Sequence, residues 1–173
     1  MSTLKVGTIQ DHANGNNALV INSSGVVTTP ARPAFRVVRS ADQAIADNTS
    51  TLIQFNTKSG NSELFDIGGY FNTSSFRYVP QVAGYYSLTM AVLLKSDDYQ
   101  FATIRKNGAD QFSNRAWSEG GIYSTGQVNG VIYLNGSSDY VDGTVYHNAG
   151  SSKNIRGLDA GLQHTYFCGY LIG

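Results

Sequence analysis

An apolar side chain at every second position is the feature that most restricts the fold of this chain. In the stretch YSLTMAVLL, Tyr86, Leu88, Met90, Val92 and Leu94 alternate with smaller or more polar residues. Successive side chains of a β-strand point to opposite faces, so these five fall on one side of an extended backbone. The pattern predicts a strand with one face on a core.

The same period recurs along the chain. QVNGVIYLNG, DYVDGTVYH and TYFCGYLIG alternate in the same way, and Gly, Asn and Ser separate these runs. The Asn-Gly pair in KNGA, at 106 to 109, suits a two-residue hairpin turn because both residues tolerate positive φ. Only SADQAIAD, at 40 to 47, reads as a helical turn. We therefore expect an all-β sandwich or barrel.

Charge and cysteine content exclude several classes of protein. Charged residues make up 14% of the chain, and the formal net charge is zero, so nothing attracts nucleic acid or anionic lipid. We expect no nucleic-acid partner and no membrane insertion, since no leader or membrane-length apolar run is present. The single cysteine, Cys168, cannot form an internal disulfide; we expect it to be a small buried apolar residue.

Several segments together resemble a known family. PAFRV, LIQFN, FDIGGYFN, FRYVPQVAGYYSL, ATIRKNG, GVIYLNGSSDYVDGTVY and TYFCGYLIG follow one another through residues 33–173. In this order they resemble the C1q-like domains related to the tumour necrosis factor jelly roll. The spacing from Phe76 through Pro80 and Gly84 to Tyr86 is wider than in animal members. With YVPQVAGYY and DYVDGTVYHNAG, it is closer to the version in bacteriophage and prophage structural proteins.

The resemblance implies an antiparallel jelly-roll sandwich of about ten strands over residues 33–173, the head. We expect Phe76, Leu88, Met90, Phe167 and Leu171 to be buried in it.

Residues 1–32 differ in kind from the head. Two short β-prone pieces, LKVGTIQ and ALVINSSGVVT, are joined by DHANGNN and followed by TPARP, which reads as a linker. These pieces are too short to bury a core, so the segment is either disordered or paired with other copies or a larger assembly. It resembles the leading segments of marine phage virion proteins, and we interpret it as an attachment segment that contacts other virion proteins through residues 1–30.

No catalytic residues or cofactor are predicted. His12, His147 and His164 lie in unrelated contexts, and GxGxxG, GxxxxGK and HExxH are absent. Calcium is a candidate ligand, because the adjacent Asp97 and Asp98 of a predicted loop supply carboxylate oxygens. Two further carboxylates, Asp139 and Asp142, lie within DYVDG.

Two function classes follow from the resemblance, both non-enzymatic and both placing the protein in a virion assembled in the host cytoplasm. In the first, a trimeric head at a tail-fibre or appendage tip recognises a host-surface glycan or protein. In the second, the same trimer is a capsid or tail decoration or connector protein that stabilises its neighbours. A secreted lectin-like domain of cellular origin is a weaker third class.

Recognition is expected in loops between strands. The candidate ligand-binding residues combine rings with charged and polar groups: Asp97, Asp98, Tyr99, Arg115, Trp117 and Tyr123. Rings of this kind stack on a sugar while the charged groups hydrogen-bond to it. The alternative is that Trp117 only packs its loop against the head.

A homotrimer is expected from the aromatic content. The resemblance implies it, and 12% aromatic residues with few charges leave more ring surface than one small core can hide. In TYFCGYLIG, apolar side chains occupy both faces of the strand. The residues predicted at the trimer interface are Tyr86, Tyr166, Tyr170 and Ile172.

Overall fold

A computed structural model describes residues 5–13, 15–96 and 98–173 of the chain. The regular elements in these ranges are all β-strands, and none of the ranges holds a helix that is long and apolar enough to cross a membrane. The chain divides into two compact units, Met1–Arg32 and Pro33–Gly173.

The N-terminal unit is a three-stranded antiparallel sheet in the order β1-β2-β3. Its strands are β1 (Thr8–Gln10), β2 (Asn17–Ile21) and β3 (Val27–Thr28). Ile9 pairs with Leu19, and Ile21 pairs with Val27, so four aliphatic side chains share one face. Three of the four are exposed. The sheet is therefore amphipathic.

The head contains the remaining strands. They are β4 (Ala34–Val38), β5 (Gln43–Ile45), β6 (Thr51–Leu52), β7 (Phe65–Ile67), β8 (Phe71–Asn72), β9 (Arg77–Tyr78), β10 (Ala83–Lys95), β11 (Gln100–Lys106), β12 (Ala109–Ala116), β13 (Tyr123–Asn135), β14 (Val141–His147), β15 (Lys153–Ile155), β16 (Leu158–Asp159), β17 (Leu162–Gln163) and β18 (Tyr166–Leu171). Ten of these exceed two residues, which agrees with the predicted number.

Two antiparallel sheets pack face to face. The first, here the inner sheet, has the order β5-β15-β10-β18-β4-β7, and β13 pairs with the other edge of β10 along its whole length. The second, here the outer sheet, has the order β12-β11-β14-β9-β8, with β6 also paired to β14. A small hairpin of β16 and β17 completes the head. This arrangement confirms the all-β sandwich.

The core lies between the two sheets, and β10 is its main contributor. Its five alternating apolar side chains, from Tyr86 to Leu94, are all 0% exposed. Across the core, the Phe35 ring stacks on Tyr78 at 4.1 Å and meets Phe167 edge-on at 5.0 Å. Leu88, Met90 and Phe167 are buried as predicted.

Two core predictions need correction. Phe76 is only half-buried, because a turn between β8 and β9 places it at φ +61 while Tyr78 enters the core instead. Leu171 is also partly exposed, although it packs against the core, because it is the last residue of β18.

Local turn chemistry was predicted correctly at one position and wrongly at another. Asn107 and Gly108 adopt φ of 52° and 82° and join β11 to β12, which confirms the hairpin. Residues 40–47 contain β5 rather than a helical turn. There the Gln43 amide donates to the Leu52 carbonyl and Ile45 is fully buried, so tertiary contacts hold the backbone extended.

Candidate ligand-binding platform and apolar face

A row of side chains crosses three neighbouring strands on the solvent side of the outer sheet. Phe101 of β11 lies opposite Arg115 of β12 on one side and opposite Tyr146 of β14 on the other. Their neighbours Gln100 and Ala102 point inward and are fully buried. Because side chains alternate along each strand, the three residues of the row face outward together.

Two loop rings extend this row. Tyr99 stacks on Tyr146 and on Trp117, each with ring centroids 6.4 Å apart, and meets Phe101 at 5.4 Å. The guanidinium carbon of Arg115 lies 5.4 Å from the Tyr99 ring centre and 5.9 Å from that of Trp117. Trp117 remains 54% exposed. We call Tyr99, Phe101, Arg115, Trp117 and Tyr146 the aromatic platform.

Hydrogen bonds hold the loop beneath the platform. The Ser118 hydroxyl donates to the Ser96 carbonyl at 2.6 Å, and the Ser96 hydroxyl donates to the Asp98 carbonyl at 2.9 Å. The Asp98 carboxylate accepts the Tyr99 N–H at 2.7 Å. These bonds join both sides of the loop and position Tyr99. Asp97 lies outside the described residues.

The rim of the platform beside Tyr146 is polar. The Tyr146 hydroxyl donates to the Asn48 side-chain oxygen at 2.9 Å. Partial burial, the neighbouring Tyr99 and the carboxylates Asp47 and Asp98 raise the pKa of the Tyr146 phenol. The phenol is therefore a neutral hydrogen-bonding group at physiological pH.

Four of the predicted ligand-binding residues come together here, and one does not. Tyr99, Arg115 and Trp117 form the platform with Asp98 beside them. Tyr123 belongs to a different cluster, where the Arg156 guanidinium donates to its hydroxyl at 3.0 Å. Binding by any of these residues stays a prediction.

Sequence reasoning missed Phe101 and Tyr146. The alternation of side chains within QFATIRK and VDGTVYH indicates that both rings point away from the core. Only the order of the strands in the sheet brings the two rings side by side.

The other candidate carboxylates are engaged by cations. Asp139 accepts hydrogen bonds from Lys106 and Asn107, both at 2.8 Å, and these hold its pKa below the usual value. Asp142 is fully buried between two arginine side chains at 2.7 and 3.4 Å. Over the described ranges, no three His, Cys, Asp or Glu residues cluster closely enough to hold a metal. Because Asp97 lies outside those ranges, calcium at the loop stays a prediction.

His147 and Cys168 of the head make structural contacts. His147 is fully buried, with Nε2 3.1 Å from the Ile45 carbonyl and Nδ1 accepting the Ala149 N–H at 3.3 Å. Cys168 is half-buried rather than buried, and burial raises the pKa of its thiol despite the nearby Arg36. A raised pKa keeps this sulfur protonated and weakly nucleophilic.

A second exposed surface lies on the opposite side of the sandwich, on the inner sheet. We call this surface, on β10, β13 and the end of β18, the apolar face. Its residues are all 44–56% exposed: Tyr85, Val131, Tyr133, Tyr170 and Ile172. Tyr85 and Tyr133 are cross-strand partners with ring centroids 5.5 Å apart. The patch is therefore continuous across neighbouring strands.

The predicted interface residues divide between this face and the interior. Tyr170 and Ile172 lie on the apolar face, and Tyr166 is half-buried with Arg36 4.2 Å above its ring. Tyr86 was placed wrongly: it is 0% exposed and its hydroxyl donates to the Val82 carbonyl at 2.8 Å. It shares the alternation of Leu88, which directs it into the core.

Comparison with known proteins identifies the fold of the head. The globular domain of zebrafish complement 1qA protein matches with a TM-score of 0.59 and 17% identity, over 82% of this chain and 98% of that domain. A crystal structure of murine APRIL matches with a TM-score of 0.57 and 14% identity, over 81% of this chain and 98% of the chain in that structure. No family model and no curated protein sequence matches. The head therefore has the C1q/TNF-like jelly-roll fold.

Proposed function

We propose that this chain is a non-enzymatic bacteriophage virion protein. Its head forms a homotrimer that is displayed at the tip of a tail fibre or appendage and recognises the host surface. The apolar face makes the contacts between copies, and the aromatic platform binds the host.

The placement of the two exposed surfaces carries this proposal. The apolar face lies on the solvent side of the inner sheet, whereas the platform lies on the solvent side of the outer sheet. A contact between copies through the first surface leaves the second open to solvent. One sandwich can therefore assemble and bind a ligand at the same time.

The size of the apolar face supports assembly. An aromatic side chain presents about 150–250 Å², so three half-exposed tyrosines with Val131 and Ile172 leave a patch of several hundred Å². A monomer rarely exposes such a patch, and a cyclic oligomer covers it by symmetry. Each tyrosine hydroxyl can still reach water or a partner at such an interface.

The N-terminal sheet supports attachment to a particle. The aliphatic face of this sheet has too few residues to form an independent core. A larger assembly that covers the face therefore stabilises the sheet. The place in a virion rests on the resemblance of this segment and of YVPQVAGYY to phage proteins. Other virion proteins are the partners proposed for residues 1–30.

Electron cryo-microscopy of particles that carry the chain tests the proposal. We expect three-fold heads at the distal end of an appendage, and we expect purified head to compete with the particles for adsorption to host cells. Heads arranged on the capsid lattice, with no competition, would favour the decoration or connector role. Absence of the chain from purified particles would refute a virion role.

The Trp117→Ala variant separates recognition from packing. Because Trp117 is 54% exposed, we expect the variant head to compete less well with particles for adsorption to host cells. Its melting temperature should stay nearly constant. Leu162→Ala, which removes a 63% exposed apolar side chain outside the platform, is the control and should compete normally. A sharp drop in the melting temperature of Trp117→Ala would show that this ring serves packing.

A further inference from the structure

The cation of the aromatic platform differs from Arg156, a second arginine that lies over a ring in the head. Arg156 stacks over Tyr123 at 5.7 Å, but it also forms an ion pair with Asp159. Arg115 stacks over two rings and is exposed. Within the described part of the chain, no carboxylate lies within 4 Å of its guanidinium nitrogens. Among the described side chains, the Arg115 guanidinium therefore has no ion-pair partner.

The two ring contacts also restrict where this charge lies. A guanidinium that lies over aromatic rings is held by its flat face, while its N–H donors point outward around the edge. A planar carboxylate accepts two parallel hydrogen bonds from such an edge. Because one cation serves the platform, a singly charged anion is better matched than a phosphate or a sulfate cluster, which are bound by several cations.

Two acidic side chains near the platform are held in place by backbone donors. Asp98 directs its carboxylate to the Tyr99 N–H, and Asp47 accepts the Gly150 N–H at 3.0 Å. Both carboxylates are thus occupied by backbone donors. Asp47 lies near the Tyr146 end of the row, and Arg115 lies at the opposite end.

Ring and hydroxyl groups beside Arg115 match the rest of a sugar. The exposed Trp117 face can accept the apolar face of a pyranose. Along β12, Ser113 is the next outward residue; it is exposed, and its hydroxyl lies 2.9 Å from that of Thr103. A hydroxyl pair on the other side of Arg115 from Trp117 offers donors and acceptors to sugar hydroxyls.

From these contacts we propose that the aromatic platform binds a carboxylated saccharide, with its ring on Trp117 and its carboxylate on Arg115. The inference rests on the proposed role in recognition and adds the chemical class of the ligand. It makes Arg115 the residue that selects an acidic sugar over a neutral one.

A glycan array that holds carboxylated, sulfated, phosphorylated and neutral saccharides tests this assignment with the full chain. We expect the bound set to be carboxylated, with binding that weakens as salt is raised. Arg115→Ala should lower affinity about tenfold or more, and Arg115→Lys should restore only part of it because a lysine lacks the planar fork. Arg156→Ala is the matched control and should bind normally.

Other outcomes overturn the assignment. Equal binding of neutral saccharides, a preference for sulfated or phosphorylated ones, an unaffected Arg115→Ala variant, or no saccharide bound at all would each contradict it. The adsorption competition described above is independent of the array. If the head competes with particles for adsorption but gives any of these array results, the acidic-sugar assignment alone is refuted. If the head does not compete for adsorption, the recognition role itself is refuted.

Discussion

Replacement of Phe35 by Ala should destabilise the head by about 4–5 kcal/mol, the upper part of the range for a buried aromatic ring. The ring is 0% exposed and contacts three others, with centroid distances of 4.1, 5.0 and 5.7 Å. Each such pair adds about 0.5–1.5 kcal/mol beyond the area buried. The surrounding rings are rigid and cannot readily fill the cavity, so little of the loss is recovered.

Thermal and urea unfolding at fixed protein concentration measure this loss, since oligomerisation makes stability depend on concentration. We expect the melting temperature to fall by about 10–15 °C. Phe65→Ala is the matched control: Phe65 is 39% exposed on the edge strand β7, so its loss should cost about 1 kcal/mol. Equal costs for the two variants would refute the assignment of Phe35 to the centre of the core.

Three further predictions concern charge and assembly. Burial raises the pKa of Tyr86 to about 12 and also raises that of Tyr78. The contribution of the two phenols to stability is therefore intact below pH 10, the pKa of an unfolded tyrosine, and is lost as the pH rises further. The loss is up to about 1.4 kcal/mol per pH unit for each ring. Urea titrations at pH 9 to 11.5 should show this fall in the free energy of unfolding, and the double variant Tyr78→Phe with Tyr86→Phe should remove it. Asp142→Ala should cost about 3 kcal/mol in urea unfolding, because two arginines lose their buried partner; a loss below 1 kcal/mol would contradict this. Val131→Glu should dissociate the oligomer in sedimentation, whereas Leu162→Glu, at a residue that is 63% exposed and off the apolar face, should not.

Alternation along single strands was the most informative part of the sequence. It predicted the buried side of β10 from Leu88 to Leu94, and the Asn-Gly pair predicted the β11–β12 hairpin. The same alternation places Tyr86 inside, so its assignment to an interface disregarded the pattern.

The platform could not be predicted because it depends on pairing between strands. A two-residue turn at Asn107–Gly108 with regular pairing would set Phe101 opposite Asn114. A register shift between Ile104 and Arg105 sets it opposite Arg115 instead. Such a bulge moves every later side chain of the hairpin to the other face. The contact with Tyr146 requires β14 as well, which follows β12 only after the whole of β13.

The mass of the assembled protein in solution tests the central claim most directly. Light scattering coupled to size-exclusion chromatography should give about three times the chain mass of 18.6 kDa. This mass should be unchanged on dilution to micromolar concentration and retained by residues 33–173 alone, which would place the contacts in the head. A single species near 18.6 kDa would contradict a trimeric head.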